Sequence, residues 1–271
     1  MSSKSIKLLV ENWRSFLDEV KISDYKDAAE TIGSTHPIYK GSYNDKNYYM
    51  KFPDNELQTL SEYLSYRIYS LYDAKIPESF HLVFDDNLVG ISTEAFNGKI
   101  FRIRRQGTDQ HLIDAFTSNL GNMYYIDAFL ANWDAAGNVV VDFDKYENEK
   151  EFDYRMIDPG GALNFRAQGA LKGRMFGDEV GELDTLLDPV MSRGTGGYKV
   201  YGNRDDNVAR QKFLNVSWSE ISSMIEETKQ EVLLELSEND RNDLKDEFTK
   251  MCNEIKIKLE KRHNYIMNKI S

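Results

Sequence analysis

A lysine, a glutamate, two aspartates and an asparagine stand in an order that could handle a phosphorylated ligand. Lys51 lies near the end of the β-prone run YYMKF, and Glu62 follows it in a helical pattern. Asp134 and Asn138 bracket the short stretch DAAGN, and Asp158 closes YRMID just before Pro-Gly-Gly. Upstream, Gly33-Ser34-Thr35 offers a turn whose glycine lets backbone N–H groups approach phosphate oxygens, with hydroxyls beside it. Phosphoryl transfer is mostly positioning and electrostatics. It needs an ammonium against phosphate charge, a carboxylate to orient the attacking hydroxyl, and hard oxygen donors for a bridging cation.

Each residue alone also fits a plainer role. Lys51 could be the outward residue of an alternating strand, and local pattern favours that. Glu62 could lie on a solvated helix face. DAAGN has the composition of an Asx/Gly turn, and Asp158 that of a turn aspartate. The four pieces in this order are harder to dismiss than any one of them.

The elements that must position them can be read from periodicity. Ile6, Leu9, Trp13, Phe16 and Val20 mark a helix face over 6–20. YKGSY and KNYYMKFP form a hairpin around Asn44-Asp45. Asp54-Asn55 can cap a helix over 55–73, with Leu57, Leu60, Leu64, Ile68 and Leu71 buried and Thr59, Glu62, Tyr66 and Tyr69 on a second face. FHLVF and LVGISTEAF read as two strands joined near 85–87. One long helix is expected over 109–132, then a strand VVVDF, a charged loop DKYENEKEFD, a strand YRMID and an irregular Gly-rich stretch over 159–207. Ser217 to Glu220 has capping-box form and opens a helix to about Leu236, and Ser237 starts the last one. The change of texture near residue 100 predicts a β-rich lobe over 1–100 and a helical lobe over 101–271.

Composition bounds the rest. The chain has 271 residues, 34 Lys and Arg against 45 Asp and Glu, and a net charge of −11, which argues against direct nucleic-acid binding. A single cysteine, Cys252, excludes an internal disulfide framework and reads as a small buried filler. No apolar run is long enough for a transmembrane segment, and the start of the chain does not read as a signal peptide. The expected location is cytoplasmic, in the protein's own cell or in a host cytosol if it is a secreted effector. His36, His81, His111 and His263 are scattered, and no Gly-x-Ser-x-Gly elbow occurs. Arg102, Arg104 and Arg105 form the one dense basic cluster, which fits a solvated strand edge or an anion contact.

The ordered pieces resemble the protein-kinase-like superfamily, in particular its atypical branch of HipA-like kinases and phosphatidylinositol 3-/4-kinases. The strings that carry the likeness are GSTHPIYKG, YYMKF, LSEYLSYRIY, LANWDAAGNVVV and, most specifically, MIDPGGALNFRAQG, spread over about 32–180. The resemblance implies an α+β, two-lobed kinase fold using ATP and Mg²⁺, with Mn²⁺ as an alternative cation. It implies that Gly33, Ser34 and Thr35 form the phosphate turn, that Lys51 is the ATP lysine and Glu62 its helix partner. Asp134 then matches the catalytic aspartate, Asn138 and Asp158 the metal ligands, and Glu94, Ala95 and Phe96 the adenine-binding hinge. A HipA-like protein would phosphorylate protein Ser/Thr. Phosphoinositide or inositol phosphorylation, a pseudokinase interaction module, and AMP transfer or glutamylation on the same fold are the alternatives. Two departures stand out. His36-Pro37 replaces the expected extra glycine, and the step from Asp134 to Asn138 is short, which makes Asn132 a substitute ligand.

Overall fold

The computed structural model describes residues 21–31, 37–85, 88–101, 110–149 and 151–270. The expected helix over 6–20, the phosphate turn Gly33-Ser34-Thr35, His36 and the cluster Arg102, Arg104 and Arg105 lie outside the described residues.

Five strands form an antiparallel sheet: β1 (Lys26–Thr31), β2 (Ile38–Tyr43), β3 (Lys46–Lys51), β4 (Phe80–Asp85) and β5 (Leu88–Glu94), in the order β1-β2-β3-β5-β4. The predicted hairpin is β2-β3. Asn44 and Asp45, both at positive φ, supply its turn, as a two-residue connection matching the strand twist requires. Along β3, Tyr48 and Met50 are buried in a small cluster with Tyr25, Phe52 and Val83. Strand alternation turns Lys51 to the opposite face.

Helix α1 (Glu56–Leu71) follows, its N-cap the Asn55 side chain accepting from Leu57 N at 3.1 Å. The sequence predicts one buried stripe, but Thr59, Glu62, Tyr66 and Tyr69 are buried as well. The helix is covered on one side by the sheet and on another by a C-terminal helix, so it has little solvated face.

Beyond the sheet, β6 (Lys99–Phe101), β7 (Val139–Val141) and β8 (Tyr154–Met156) make a second antiparallel sheet, and the remainder is mostly helical. The helix expected over 109–132 is interrupted. α2 (Gln110–Leu120) ends at a 3₁₀ turn, and α3 (Tyr124–Phe129) follows it. Gly121 sits at the break, where a Cβ would come within 3.0 Å of Arg204 and 3.1 Å of the Val200 carbonyl. The expected loop over 144–153 also differs. Asp142 caps Lys145 N at 2.9 Å and α4 (Phe143–Glu149) forms, with Tyr146 turned into the core. As a result β7 ends at Val141, and β8 starts at Tyr154 as predicted but ends at Met156, ahead of the left-handed Asp158.

The Gly-rich stretch folds into 3₁₀ turns and the short helices α5 (Glu182–Thr185) and α6 (Gly197–Gly202). α7 (Asp206–Leu214), α8 (Trp218–Glu238) and α9 (Lys245–Ile270) complete the chain. The Ser217/Glu220 capping box forms as predicted. Ser237, however, stays inside α8 with its hydroxyl on Leu233 O at 2.7 Å, and the chain turns at Asp240, φ +57°, before α9. Cys252 is buried in α9. Among the described residues no helix is long and apolar enough to cross a membrane.

Candidate active site

Three elements bring Lys51, Glu62 and Asp158 into direct contact, with Asn138 and Asp134 beside Asp158. Lys51 at the end of β3 reaches Glu62 of α1, Nζ to Oε2 at 2.7 Å, and Asp158, Nζ to Oδ1 at 2.5 Å. Glu62 is 2% exposed, so the off-stripe glutamate of the helical pattern is a buried ion-pair partner and not part of a solvated face. Burial by itself would lower the Lys51 pKa, but the charges of Glu62 and Asp158 outweigh it and hold the ammonium protonated. Burial pushes Glu62 up to about 7, with Lys51 pulling the other way.

Asp158 stands just past β8 with φ +52°, a left-handed conformation that costs a non-glycine residue about 1 kcal/mol or more. Three groups fix it there. Its N–H donates to the Tyr66 hydroxyl at 3.0 Å, its carboxylate meets Lys51, and its carbonyl accepts from Asn138 Nδ2 at 3.3 Å. The glycines that follow are required by space. A Cβ on Gly160 would lie 2.7 Å from Glu62 Oε2 and 3.2 Å from Asp158 Oδ1, and one on Gly161 3.3 Å from Asp134 Oδ2. Gly160-Gly161 thus forms a thin wall with the Asp158 carboxylate against its first glycine and the Asp134 carboxylate against its second. From the other side, Gln58 of α1 donates its amide to the carbonyls of Gly160, Arg166 and Ala167 at 3.2–3.3 Å.

Asp134 opens the turn between α3 and β7. Its carbonyl accepts from Gly137 N and Asn138 N, so the short DAAGN step is a closed turn that sets Asn138 beside Asp158. Burial raises the Asp134 pKa and the nearby Asp158 adds to it, while Lys172 opposes both. Two carboxylates that repel one another, with the Asn138 amide held at the Asp158 backbone, are residue types that a hard divalent cation takes as donors. Asn132 does not join them. It is buried under the loop, its Nδ2 on the Tyr69 hydroxyl at 2.9 Å, in a network where Tyr69 and Tyr201 both donate to Asp127.

At the far end of β5, Glu94 pairs with Lys46 at 2.8 Å. The Glu94 and Ala95 amides are engaged by Ser79 O and Asn47 O, and the Phe96 ring lies under the Arg155 guanidinium at 4.7 Å. The helical side is pinned by Arg262 of α9, fully buried, which donates to the carbonyls of Ala128, Phe129 and Gly177 and to Glu182.

Gln58, Tyr66 and Lys172 are the site residues that sequence reasoning missed or left without a role. Gln58 and Tyr66 share the helix face of Glu62, so polar residues at three- and four-residue steps from a suspected site residue were the available signal.

With this geometry in place, comparison with known proteins is informative about the fold. No protein-family model and no curated protein matches the sequence. The structure is similar to that of a Helicobacter pylori proinflammatory kinase, CtkA, with a TM-score of 0.50 and 16% identity over 90% of this chain and 97% of that one. The chain has a protein-kinase-like fold. A looser likeness is to WaaP in complex with acyl carrier protein, with a TM-score of 0.42 and 12% identity over 77% of this chain and 89% of that one.

Proposed function

We propose that this chain is an ATP- and Mg²⁺-dependent phosphotransferase of the HipA-like kind, with a protein Ser/Thr hydroxyl as acceptor. The observation that carries the reading is the Lys51 ammonium held between buried Glu62 and Asp158, with Asp134 across the Gly160-Gly161 wall. In this reading the lobe over 1–100 binds the nucleotide and the lobe over 101–271 carries the transfer residues. Gly33, Ser34 and Thr35 cover the phosphates. Lys51, fixed by Glu62, lies against phosphate oxygens. Backbone over 94–96 faces the adenine, and Phe96 is the residue to donate there, since the amides of Glu94 and Ala95 are already bonded.

Asn138 and Asp158 would hold Mg²⁺, which when bound neutralises charge on the phosphates. Asp134 orients the acceptor hydroxyl and takes its proton as the O–P bond forms and ADP leaves. Support for a polypeptide acceptor comes from the resemblance and from an open groove of about 500 Å³ lined by Trp133, which precedes Asp134 in the chain, and by Met175, Asp178 and Thr185. The similar structure described as a kinase supports phosphotransfer itself.

The test is label transfer from ATP, with casein and with the chain itself as acceptors. Label from the γ but not the α position should reach protein, and the Asp134→Ala variant should transfer none. Transfer from the α position would make it a nucleotidyl transferase. No transfer to protein but label on inositol lipids would move the acceptor, and no transfer at all would leave a binding module.

A further inference from the structure

Lys172 is buried beneath the site, 6% exposed, in a chain with an excess of acids. Its ammonium makes no ion pair among the described residues. It donates to two backbone carbonyls, Ala131 O and Gly161 O, each at 2.6 Å. These belong to different loops, one just before Asp134 and the other just after Asp158. Both loops are bent at non-glycine residues in the left-handed region, Ala131 at φ +54° and Leu163 at φ +53°, and Leu163 N bonds Leu130 O at 2.7 Å beside them. Strain of this kind persists only where the surroundings over-determine it.

The segment 164–172 is built to deliver this side chain. Lys172 N bonds Asn164 O at 2.8 Å, Arg166 N bonds Ala170 O at 2.7 Å, and Phe165 bridges to Leu171, with Gly169 at φ +83° in the turn. Gln58 clamps the same turn from α1. Two neutral carbonyls repay only part of the cost of desolvating an ammonium. Burial accordingly pulls its pKa down to about 7, with Glu182 and Asp134 opposing. A packing role would be met more cheaply by leucine or methionine.

We propose that Lys172 is a positioning residue for phosphoryl transfer: it ties the Asp134 loop to the Asp158 loop and sets the separation of the two carboxylates. It rests on the phosphotransfer reading, and acts through Asp134 without touching nucleotide.

The experiment compares wild type with Lys172→Met, and with Lys172→Gln, which removes the charge but keeps a donor for the carbonyls. Hydrolysis of γ-labelled ATP is measured together with Mg·ATP affinity and the urea midpoint. The expected result for Lys172→Met is a kcat about 10²-fold lower, the scale for misplacing a catalytic group, with KM for ATP within about twofold. Lys172→Gln should recover part of the loss. Adding Lys172→Met to Asp134→Asn should cause no further fall, because both act on one step. Unchanged kcat, or a kcat loss matched by weaker nucleotide binding, overturns the proposal. Amide exchange without nucleotide gives a readout independent of activity. Residues 131–138 and 160–164 should exchange faster in the variant while α8 and α9 keep wild-type protection, and equal exchange in those loops overturns the proposal. Failure of wild type to bind Mg·ATP would instead count against the phosphotransfer reading, with the exchange result still deciding the role of Lys172.

Discussion

The two walls of the cleft are built on opposite principles. The wall carrying Lys51 and Glu62 is buried and braced on its far side. Arg241 grips Glu56 at the start of α1 through two bonds of 2.5 and 2.8 Å, and the Tyr63 hydroxyl donates to Glu231 of α8 at 2.5 Å. The wall carrying Asp134, Asn138 and Asp158 is open, acidic and shaped by strained turns. One wall already satisfies its charges internally. The other sets two carboxylates close together, Asp158 against Lys51 and Asp134 above the buried Lys172. Under the proposed function, the difference means that the nucleotide side is prepared by the fold, whereas the transfer geometry would be completed when ligand and cation arrive.

The sharpest way to break this comparison is to remove one residue from each wall. Asp134→Ala should lower γ-phosphate transfer by about 10³-fold or more, within the range expected of a proton-accepting carboxylate, while Mg·ATP binding by calorimetry stays within about twofold. Lys51→Met should do the reverse kind of damage. It strands Glu62 in the interior and costs about 3–5 kcal/mol of stability in urea unfolding. Adding Glu62→Leu should restore most of that stability but none of the nucleotide affinity. If the double variant bound Mg·ATP as wild type does, the Lys51 wall would have no part in binding.

A smaller effect should come from Asp127, which lies with Asn132 beneath the Asp134 turn. Burial pushes its pKa up to about 7, against the pull of hydrogen bonds from Tyr69 and Tyr201. The folded state therefore holds a proton that the unfolded chain has already released. Stability from this group is full below pH about 4, falls as pH rises towards 7, and is flat above. Asp127→Asn should remove that slope from the urea midpoint between pH 4.5 and 7. The smallest change is expected from the brace: Arg241→Ala should cost about 1–2 kcal/mol and leave kcat nearly intact, because Lys51, Glu62 and Asp158 still meet. A large kcat loss there would show that α1 needs its outer support to form the site.

Much of the braced wall was legible in the sequence. The hairpin turn Asn44-Asp45 and the Asn55 cap follow from local pattern, because strand alternation and helix period are local properties, whereas local pattern turned Lys51 outward and only the resemblance paired it with Glu62. The open wall was less so. The break at Gly121 depends on a close approach to Arg204 and Val200, some eighty residues on, and no periodicity carries that. The exclusion of Asn132 depends on Tyr69 and Asp127, and Lys172 acquires its role only when 164–172 folds back beneath two loops. The resemblance left Asn138 and Asn132 both open as partners of Asp158, and the contact of Asn138 Nδ2 with the Asp158 carbonyl appears only in the folded chain.

The most direct measurement is Mg²⁺-dependent ATP binding, followed by thermal unfolding of wild type and Asp158→Ala across an ATP titration with and without Mg²⁺. A ligand bound by the folded state at about 100 times its dissociation constant adds ~2.7 kcal/mol, which is readily seen. The account predicts a stabilisation in wild type that requires Mg²⁺ and is lost in Asp158→Ala. Equal stabilisation with and without Mg²⁺, or none with any nucleotide, would contradict it.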